Sequence, residues 1–482
     1  MNPSIASLFY ICGIAGLFYL DRDNSARTSK ALWLPILYLG VLGSKPVSVW
    51  LGITPPGAAS TLVDGSPVDA AFFAILLIAS LCVVVYRGRQ TATFLAANGP
   101  ILIYFLFCLF SIVWSDFPYV AVKKWVKAVE DVMMILIVVT DKEPVTALRR
   151  LFSRIGFIFV PISLLLIKYY PYLGRAYDPW TGAQMNNGAT LNKNTLGVMT
   201  FVLTLGAVWR VLGLLRSDEM LANRRRHLLA QGTLLALGVY LLTFANSATS
   251  TVCFAIGAGL MLTTSLRFMK RRPAAVHVLV LFLLVTSAAV MLLGGSDSMF
   301  QALGRNSTLT GRTAIWAAVI PMARNPLVGA GFESFWLSPF VHQRLAELMP
   351  GLPLNEAHNG YIEVYLNLGW VGLGLIGLIF LGGYLRAVKT FRREPALGSL
   401  LVAYILTEMV YNITEAGFRM LHPMWIFFLL AVIEASRIAA GVGVRASPLL
   451  EASPDRRAPK LAARNALALT ATVRKVERQR TA

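Results

Sequence analysis

VDAAFFAILLIASLCVVVYRGR, residues 68–89, decides the fold class. From Val68 to Tyr86 the only charge is Asp69, at the start. A bilayer core takes about 20 such residues as a helix. The run is apolar on every face, so it is not the amphipathic helix of a soluble surface. Arg87 and Arg89 follow at once, and a basic flank of this kind marks the cytoplasmic end of a span.

The same pattern repeats outward. Apolar runs lie at 4–20, 31–51, 68–86, 99–114, 126–140, 155–170, 195–215, 228–245, 250–268, 275–294, 361–385, 397–413 and 423–440. That makes 12 or 13 spans, since the first run is short and the second holds Lys45 and Pro46. Arg22, Arg27 and Lys30 follow the first, and Lys142, Arg149, Arg150 and Arg154 follow the fifth. Arg224, Arg225 and Arg226 follow the seventh, Lys270, Arg271 and Arg272 the ninth, and Arg386, Lys389, Arg392 and Arg393 the eleventh. Every second loop is basic, which puts those loops in the cytoplasm and the others outside.

Composition agrees. The chain of 482 residues is 56% hydrophobic and 14% charged, with mean hydropathy +0.63; soluble domains carry roughly 25% charged residues. The net charge of +20 sits in short clusters between apolar runs, a pattern that argues against nucleic acid. Cys12, Cys82, Cys108 and Cys253 lie inside apolar runs without a CxxC pair and read as buried membrane residues. Asp21-Arg22-Asp23 after the first run does not resemble a signal-peptide cleavage site, so none is expected.

The expected architecture is all-α, a polytopic membrane domain over 1–440. Within it, 295–360 forms one large extracytoplasmic loop with short helices at 310–323 and 340–348. Pro321, Pro326, Gly329 and Gly331 break the stretch between them. A smaller outer loop spans 171–194. The tail, 441–482, holds nine basic and three acidic residues and is expected to be disordered or to lie on anionic lipid in the cytoplasm.

No Walker loop, HExxH, GxSxG or DxD pair is present, which argues against an energy-coupled pump and a nucleotide-sugar enzyme. Chemistry would need a substrate already activated, met at the outer face. The polar groups gather there. Arg305 and Arg312 lie in the large loop, with Trp316 one turn beyond Arg312 on the same helix face. NEAHNGY (355–361) offers Glu356, His358, Asn359 and Tyr361; Asn355 is a natural N-cap if the segment is helical. His358, Tyr361 and Tyr365 would then share a stripe, beside Asn359 and Glu363. Histidine titrates near neutral pH. LNKNTLG puts Lys193 and Asn194 at the mouth of a span. VKKWVKAVEDVMM lines up Lys123, Lys127 and Glu130, with Asp131 four beyond Lys127. Plain alternatives exist for each: solvation for Arg312, hydrogen bonding at a helix end for His358, snorkelling for Lys193 and internal pairing for Lys123 and Lys127.

LTGRTAIWAAVIPMARNPLVGAGFESFW followed by EAHNGYIEVYLNLGWVGLGL resembles the signature region of the bacterial O-antigen ligase and polymerase superfamily, and looks most like its exopolysaccharide polymerases. Shorter stretches, among them WSDFPYVAVKKWVK, LNKNTLG and NITEAGF, are similar to that family as well. The resemblance implies transfer of a glycan from an undecaprenyl-diphosphate carrier to a glycan or lipid acceptor, on the periplasmic side of the inner membrane, without metal or cofactor. It implies that His358 activates the acceptor hydroxyl as a neutral imidazole and that Arg312 holds the diphosphate, with Lys193, Asn194, Lys124, Lys127, Asn359, Tyr361, Glu356 and Arg305 as further substrate contacts. Attack opposite the leaving diphosphate would invert the anomeric centre. Implied partners are membrane lipids, a flippase and a chain-length regulator.

One departure stands out. Many ligases of the family carry a Ser-Arg pair where ANSATSTVC has Ala248 and Thr249, so the fifth-span lysines are expected to supply a diphosphate contact. The competing reading is a transporter or flippase of lipid-linked sugars. Transporters show inverted repeats and helices broken at the midplane, and neither is evident in the sequence.

Overall fold

The computed structural model describes residues 2–55, 66–177, 182–216, 221–292, 308–350 and 354–439. The tail and Arg305 lie outside the described residues.

All thirteen apolar runs carry helix. Setting aside pieces of five residues or fewer, the helices are α1 Pro3–Leu20, α2 Trp33–Leu42, α3 Pro67–Tyr86, α4 Gly88–Ala97, α5 Gly99–Phe110, α6 Pro118–Val139, α7 Pro144–Tyr169 and α8 Lys193–Leu214. They continue as α9 Leu221–Ala245, α10 Ala248–Thr264, α11 Ala275–Leu292, α12 Thr308–Val319, α13 Pro339–Leu348, α14 Gly360–Arg393, α15 Pro395–Thr414 and α16 Pro423–Ala439. An antiparallel strand pair, β1 Arg175–Tyr177 with β2 Gln184–Asn186, lies within the stretch 171–194.

Among the described residues, seven helices are long and apolar enough to cross a membrane (α1, α3, α7, α8, most of α9, α14 and α15), or eight if the pair from Gly88 to Trp114, bent by 89°, is one span. The remaining expected runs are shorter, broken or charged. The second stops at Leu42 because Lys45 turns inward, its Nζ 2.5 Å from the Leu173 carbonyl. The protein is a multi-pass, all-α membrane protein.

Burial divides the bundle. α15 and α16 are buried along most of their length, and α8 from Leu196 to Trp209. Phe152, Tyr404 and Phe427 stack at their centre with ring centroids 5.4–6.0 Å apart. α1 and α3 instead expose Ile5, Leu8, Phe9, Ile75 and Ile78, a surface suited to lipid and not to water. The ends are sorted as well. Arg150 reaches Thr28 and the Asp23 carbonyl, and Asp21 meets Arg210 and His227, so loops assigned to one side by charge meet at one end. The other end of α8 and α15, about 30 Å away for helices of this length, holds His358.

A break in α14 organises that second end. Gly369 has φ 63° and ψ −162°, outside helical geometry. Four backbone groups around the break find partners in the segment 326–331. Trp370 and Val371 donate to the carbonyls of Pro326 and Leu327 at 2.9 and 3.0 Å, and Ala330 and Gly331 donate to those of Leu366 and Asn367 at 3.0 and 2.9 Å. Asn367 adds its side chain, whose Oδ1 accepts from Ser334 and Phe335 at 2.8 and 3.1 Å. The two backbones approach so closely that a Cβ on Gly329 would strike the backbone of Asn367 and one on Gly369 that of Leu327. Both glycines also have positive φ, which costs an L-residue about 1–2 kcal/mol.

Gly369→Ala should therefore lower the melting temperature and the yield of inserted protein. Gly374→Ala, in the same helix with open space around it, should be neutral or stabilising by up to about 1 kcal/mol. Equal melting temperatures for the two variants in detergent would contradict this account of the break.

Candidate active site

The stitched segment carries the large loop back over the start of α14. α12 lies above it. Arg312 donates to the Thr414 carbonyl and to Glu415 Oε1, the latter at 3.0 Å. Trp316, on the same face as expected, donates to the Ala357 carbonyl at 2.8 Å. One helix thus clamps both the end of α15 and the turn before α14.

That turn departs from the expected helix. The N-cap of α14 is Asn359, not Asn355: its Oδ1 accepts from Ile362 N at 3.1 Å and its Nδ2 donates to the Ile413 carbonyl at 3.0 Å. His358 precedes the helix with φ 50°, so it shares no stripe with Tyr361 and Tyr365. Left-handed backbone at a non-glycine residue is strained and persists where surroundings enforce it. Here it turns the ring onto two carboxylates. His358 Nδ1 is 2.9 Å from Glu356 Oε1 and 3.8 Å from Glu415 Oε2. Nδ1 is buried while the side chain as a whole is 31% exposed, so the exposed part lies elsewhere in the side chain.

Glu415 is the hub. It takes Arg312 on Oε1, and on Oε2 it takes Asn194 Nδ2 at 3.4 Å. Lys193, half-buried, precedes Asn194 in the first turn of α8. Glu356 is the second hub, with Arg419 Nη1 3.0 Å from its Oε2. Thr249 closes the cluster, its hydroxyl 2.8 Å from that of Thr414. The position where family ligases carry a Ser-Arg pair therefore does adjoin the site, but offers a hydroxyl.

The electrostatics correct one expectation. Burial alone would depress the pKa of His358, but Glu356 and Glu415 outweigh it and push it up to about 9. The ring is thus an imidazolium at neutral pH, not the neutral imidazole expected. Burial works against ionised Glu356 too, yet His358 and Arg419 hold it down at about 2. His422 is the opposite case: burial, then Arg419, lower it to about 3 and keep it neutral. Counting Glu356, Glu415, Arg312, Arg419 and protonated His358, the cluster carries a net charge of +1 and suits an anion.

The ligand atoms of Glu356, His358 and Glu415 lie within 4.8 Å of one another, a spacing a divalent cation could bridge. Both carboxylates are already engaged by guanidinium groups, and Nδ1 faces them with a proton, which a metal would have to displace.

Not every expected contact joins this cluster. Tyr361 donates down to the Met409 carbonyl at 3.0 Å, and Asn359 serves as the cap, so both are structural. Lys124 lies on the Glu356 side, with its Nζ 2.9 Å from the Glu333 carbonyl. Lys127 is one turn deeper on α6. Asp131 accepts from the Tyr38 hydroxyl at 2.7 Å and Leu421 N at 3.0 Å, so it is held by these groups and not by the lysine stripe. Glu415 and Arg419 were missed, although NITEAGFR places both just past an apolar run.

Two comparisons bear on this geometry. Residues 233–377 match a family described as O-Antigen ligase. The exopolysaccharide production protein ExoQ of Rhizobium meliloti (strain 1021) is 27% identical over 353 residues, covering 72% of this chain and 78% of the relative. The resemblance to the O-antigen ligase and polymerase superfamily is borne out. The match to the O-antigen ligase family takes in Arg312, His358 and the break at Gly369, while Asn194, Glu415 and Arg419 lie outside it. Together the similarities support a membrane glycan ligase or polymerase.

The ion cluster should leave a pH signature. His358 has its pKa raised, so its contribution to stability is full below about 6.5 and fades as pH climbs through about 9. That of Glu356, lowered, is full above about 4.5 and fades as pH falls toward 2. The melting temperature of the wild type should therefore drop from pH 7 to pH 10 by more than that of Glu356→Gln. Parallel curves for the two proteins would rule the ion pair out as the source.

Proposed function

We propose that the chain transfers or polymerises glycans carried on undecaprenyl diphosphate, at the periplasmic face of the inner membrane, for exopolysaccharide or O-antigen synthesis. The membrane domain, 1–440, forms the enzyme, and the described parts of the large loop, 308–350 and 354–360, form its roof. The observation that carries this reading is His358, held between Glu356 and Glu415 at the start of a spanning helix, with Glu415 shared by Arg312. A lipid-borne diphosphate lies in the headgroup layer, the depth of such a boundary.

In this reading Arg312, with Asn194 and Lys193 beside it, receives the diphosphate. A guanidinium fork matches phosphate oxygens and stabilises charge growing on a leaving group. The acceptor oxygen attacks the anomeric carbon, the bond from that carbon to the phosphate oxygen breaks, and the electron pair leaves with the diphosphate. The acceptor's proton passes to the His358 ring. Attack from the face opposite the leaving group inverts the anomeric centre. Only neutral imidazole can accept the proton, and at pH 7 a ring with a pKa near 9 is neutral in roughly one molecule in a hundred. Glu356 and Glu415 make the ring a stronger base when it is neutral, and keep it so less often.

Purified protein in liposomes with radiolabelled lipid-linked oligosaccharide tests this. His358→Ala should lower turnover by about 10²–10⁴-fold and Arg312→Ala by about 10²-fold or more, with insertion intact. Translocation of the label without any new glycosidic bond would favour the flippase instead. The wild-type rate should rise with pH toward about 9. Glu356→Gln removes a group that raises the His358 pKa, so this limb should move to lower pH. A limb unmoved by Glu356→Gln would show that the rate does not follow the His358 proton.

A further inference from the structure

A cavity adjoins the cluster at Glu356 and Arg419. It has a volume of about 110 Å³ and is walled by Lys124, Glu333, Trp336, Asn355, Glu356 and Arg419, among others. Glu356 links the cavity to His358: Oε2 faces Arg419, which lines the cavity, and Oε1 lies 2.9 Å from His358.

The chemistry of its walls differs from that around Arg312. Carboxylates outnumber cations by three to two, since Glu363 also lines it. The charges are already matched within the wall. Lys124 meets Glu333 Oε2 at 3.4 Å, Arg419 meets Glu356 at 3.0 Å, and Glu363 accepts from Trp336 Nε1 at 2.8 Å and from Ala357 N. The wall has no positive excess to draw a diphosphate. What the cavity offers is a dense set of acceptors and donors beside the rings of Trp336, Phe332 and Phe418. That is the surface a sugar fits, with hydroxyls on the carboxylates and ammonium, and ring C–H groups on the aromatics.

Two further features suggest that the wall is built for a ligand. Glu333 has φ 53°, so two of the four described non-glycine residues with positive φ, Glu333 and His358, flank this junction. Strain of this kind clusters where side chains are aimed at ligands. The turn bearing Glu333 is fixed by Asn367, whose Oδ1 binds Ser334 N and Phe335 N, so the strain is held by the break in α14. The volume accommodates several waters, hence the hydroxyl edge of one sugar ring and no more.

We propose that this cavity is the acceptor subsite: it takes the terminal, uncharged sugar of the acceptor glycan on Glu333 and Lys124 and leads its attacking hydroxyl past Glu356 to His358. Lys124 thereby serves the acceptor and not the diphosphate. The inference rests on the reading of His358 as the base that receives the acceptor's proton.

The test measures the two substrates separately. Glu333→Gln and Lys124→Met would be assayed with radiolabelled lipid-linked oligosaccharide as donor and short fragments of the host's own exopolysaccharide as acceptor. Each variant should raise the acceptor KM at least tenfold and leave the donor KM within twofold. A rise confined to the donor KM would assign the cavity to the diphosphate, and unchanged values for both would remove it from substrate binding. Quenching of tryptophan fluorescence by the acceptor fragments, read on protein of wild-type melting temperature, gives a second measure that needs no turnover. The fluorescence change should be saturable in the wild type and in His358→Ala, with half-saturation shifted at least tenfold in Glu333→Gln; an unshifted half-saturation in Glu333→Gln would overturn the proposal. If His358→Ala still transfers glycan while the acceptor KM shifts hold, the base reading fails and the subsite stands.

Discussion

The break in α14 is the interaction on which the described end of the molecule depends. A membrane cannot satisfy a free N–H or carbonyl, so an interrupted helix must find partners within the protein. Segment 326–331 supplies them through four backbone hydrogen bonds. The exchange has a geometric effect beyond the bonds themselves. It fixes the roof loop to the shaft of a spanning helix, and through Asn367 it sets the turn that carries Glu333. α12 then spans from this roof to the end of α15, and His358 is caught beneath it.

Charge is the second organising element. Five ionisable groups meet where α8, α14 and α15 end, and each carboxylate is shared between a guanidinium and the imidazole. Removing charged groups from water is costly unless they are paired, and here pairing is nearly complete. The small positive excess remains available to a ligand. The same carboxylates that anchor His358 also hold its proton.

Much of this was legible in the sequence, and the limits have physical causes. Helix-length apolar runs such as 68–86 carry their own signal, because a bilayer demands length and apolarity over one contiguous segment. Arg312 and Trp316 could be put on one face, since a helix fixes neighbours at a spacing of four. His358 could be named, because a histidine at a membrane boundary is rare in a chain with five. Its protonation state could not be read, since that depends on carboxylates brought close by folding, one of them 57 positions away. Glu415 and Arg419 follow an apolar run, where polar residues are ordinary helix-end groups by pattern alone. Nor did Gly369 stand out among 38 glycines; only the partner segment 326–331 reveals that it must bend.

The grip of Arg312 on Thr414 and Glu415 has a consequence for turnover. Its fork is already occupied before any ligand arrives. A phosphate oxygen that reaches it replaces existing partners and does not fill an empty socket. Capture of an anion is then an exchange of partners, and so is its discharge. In the proposed reaction the diphosphate lipid must leave after each cycle, and an easy handover serves that better than a tight hold.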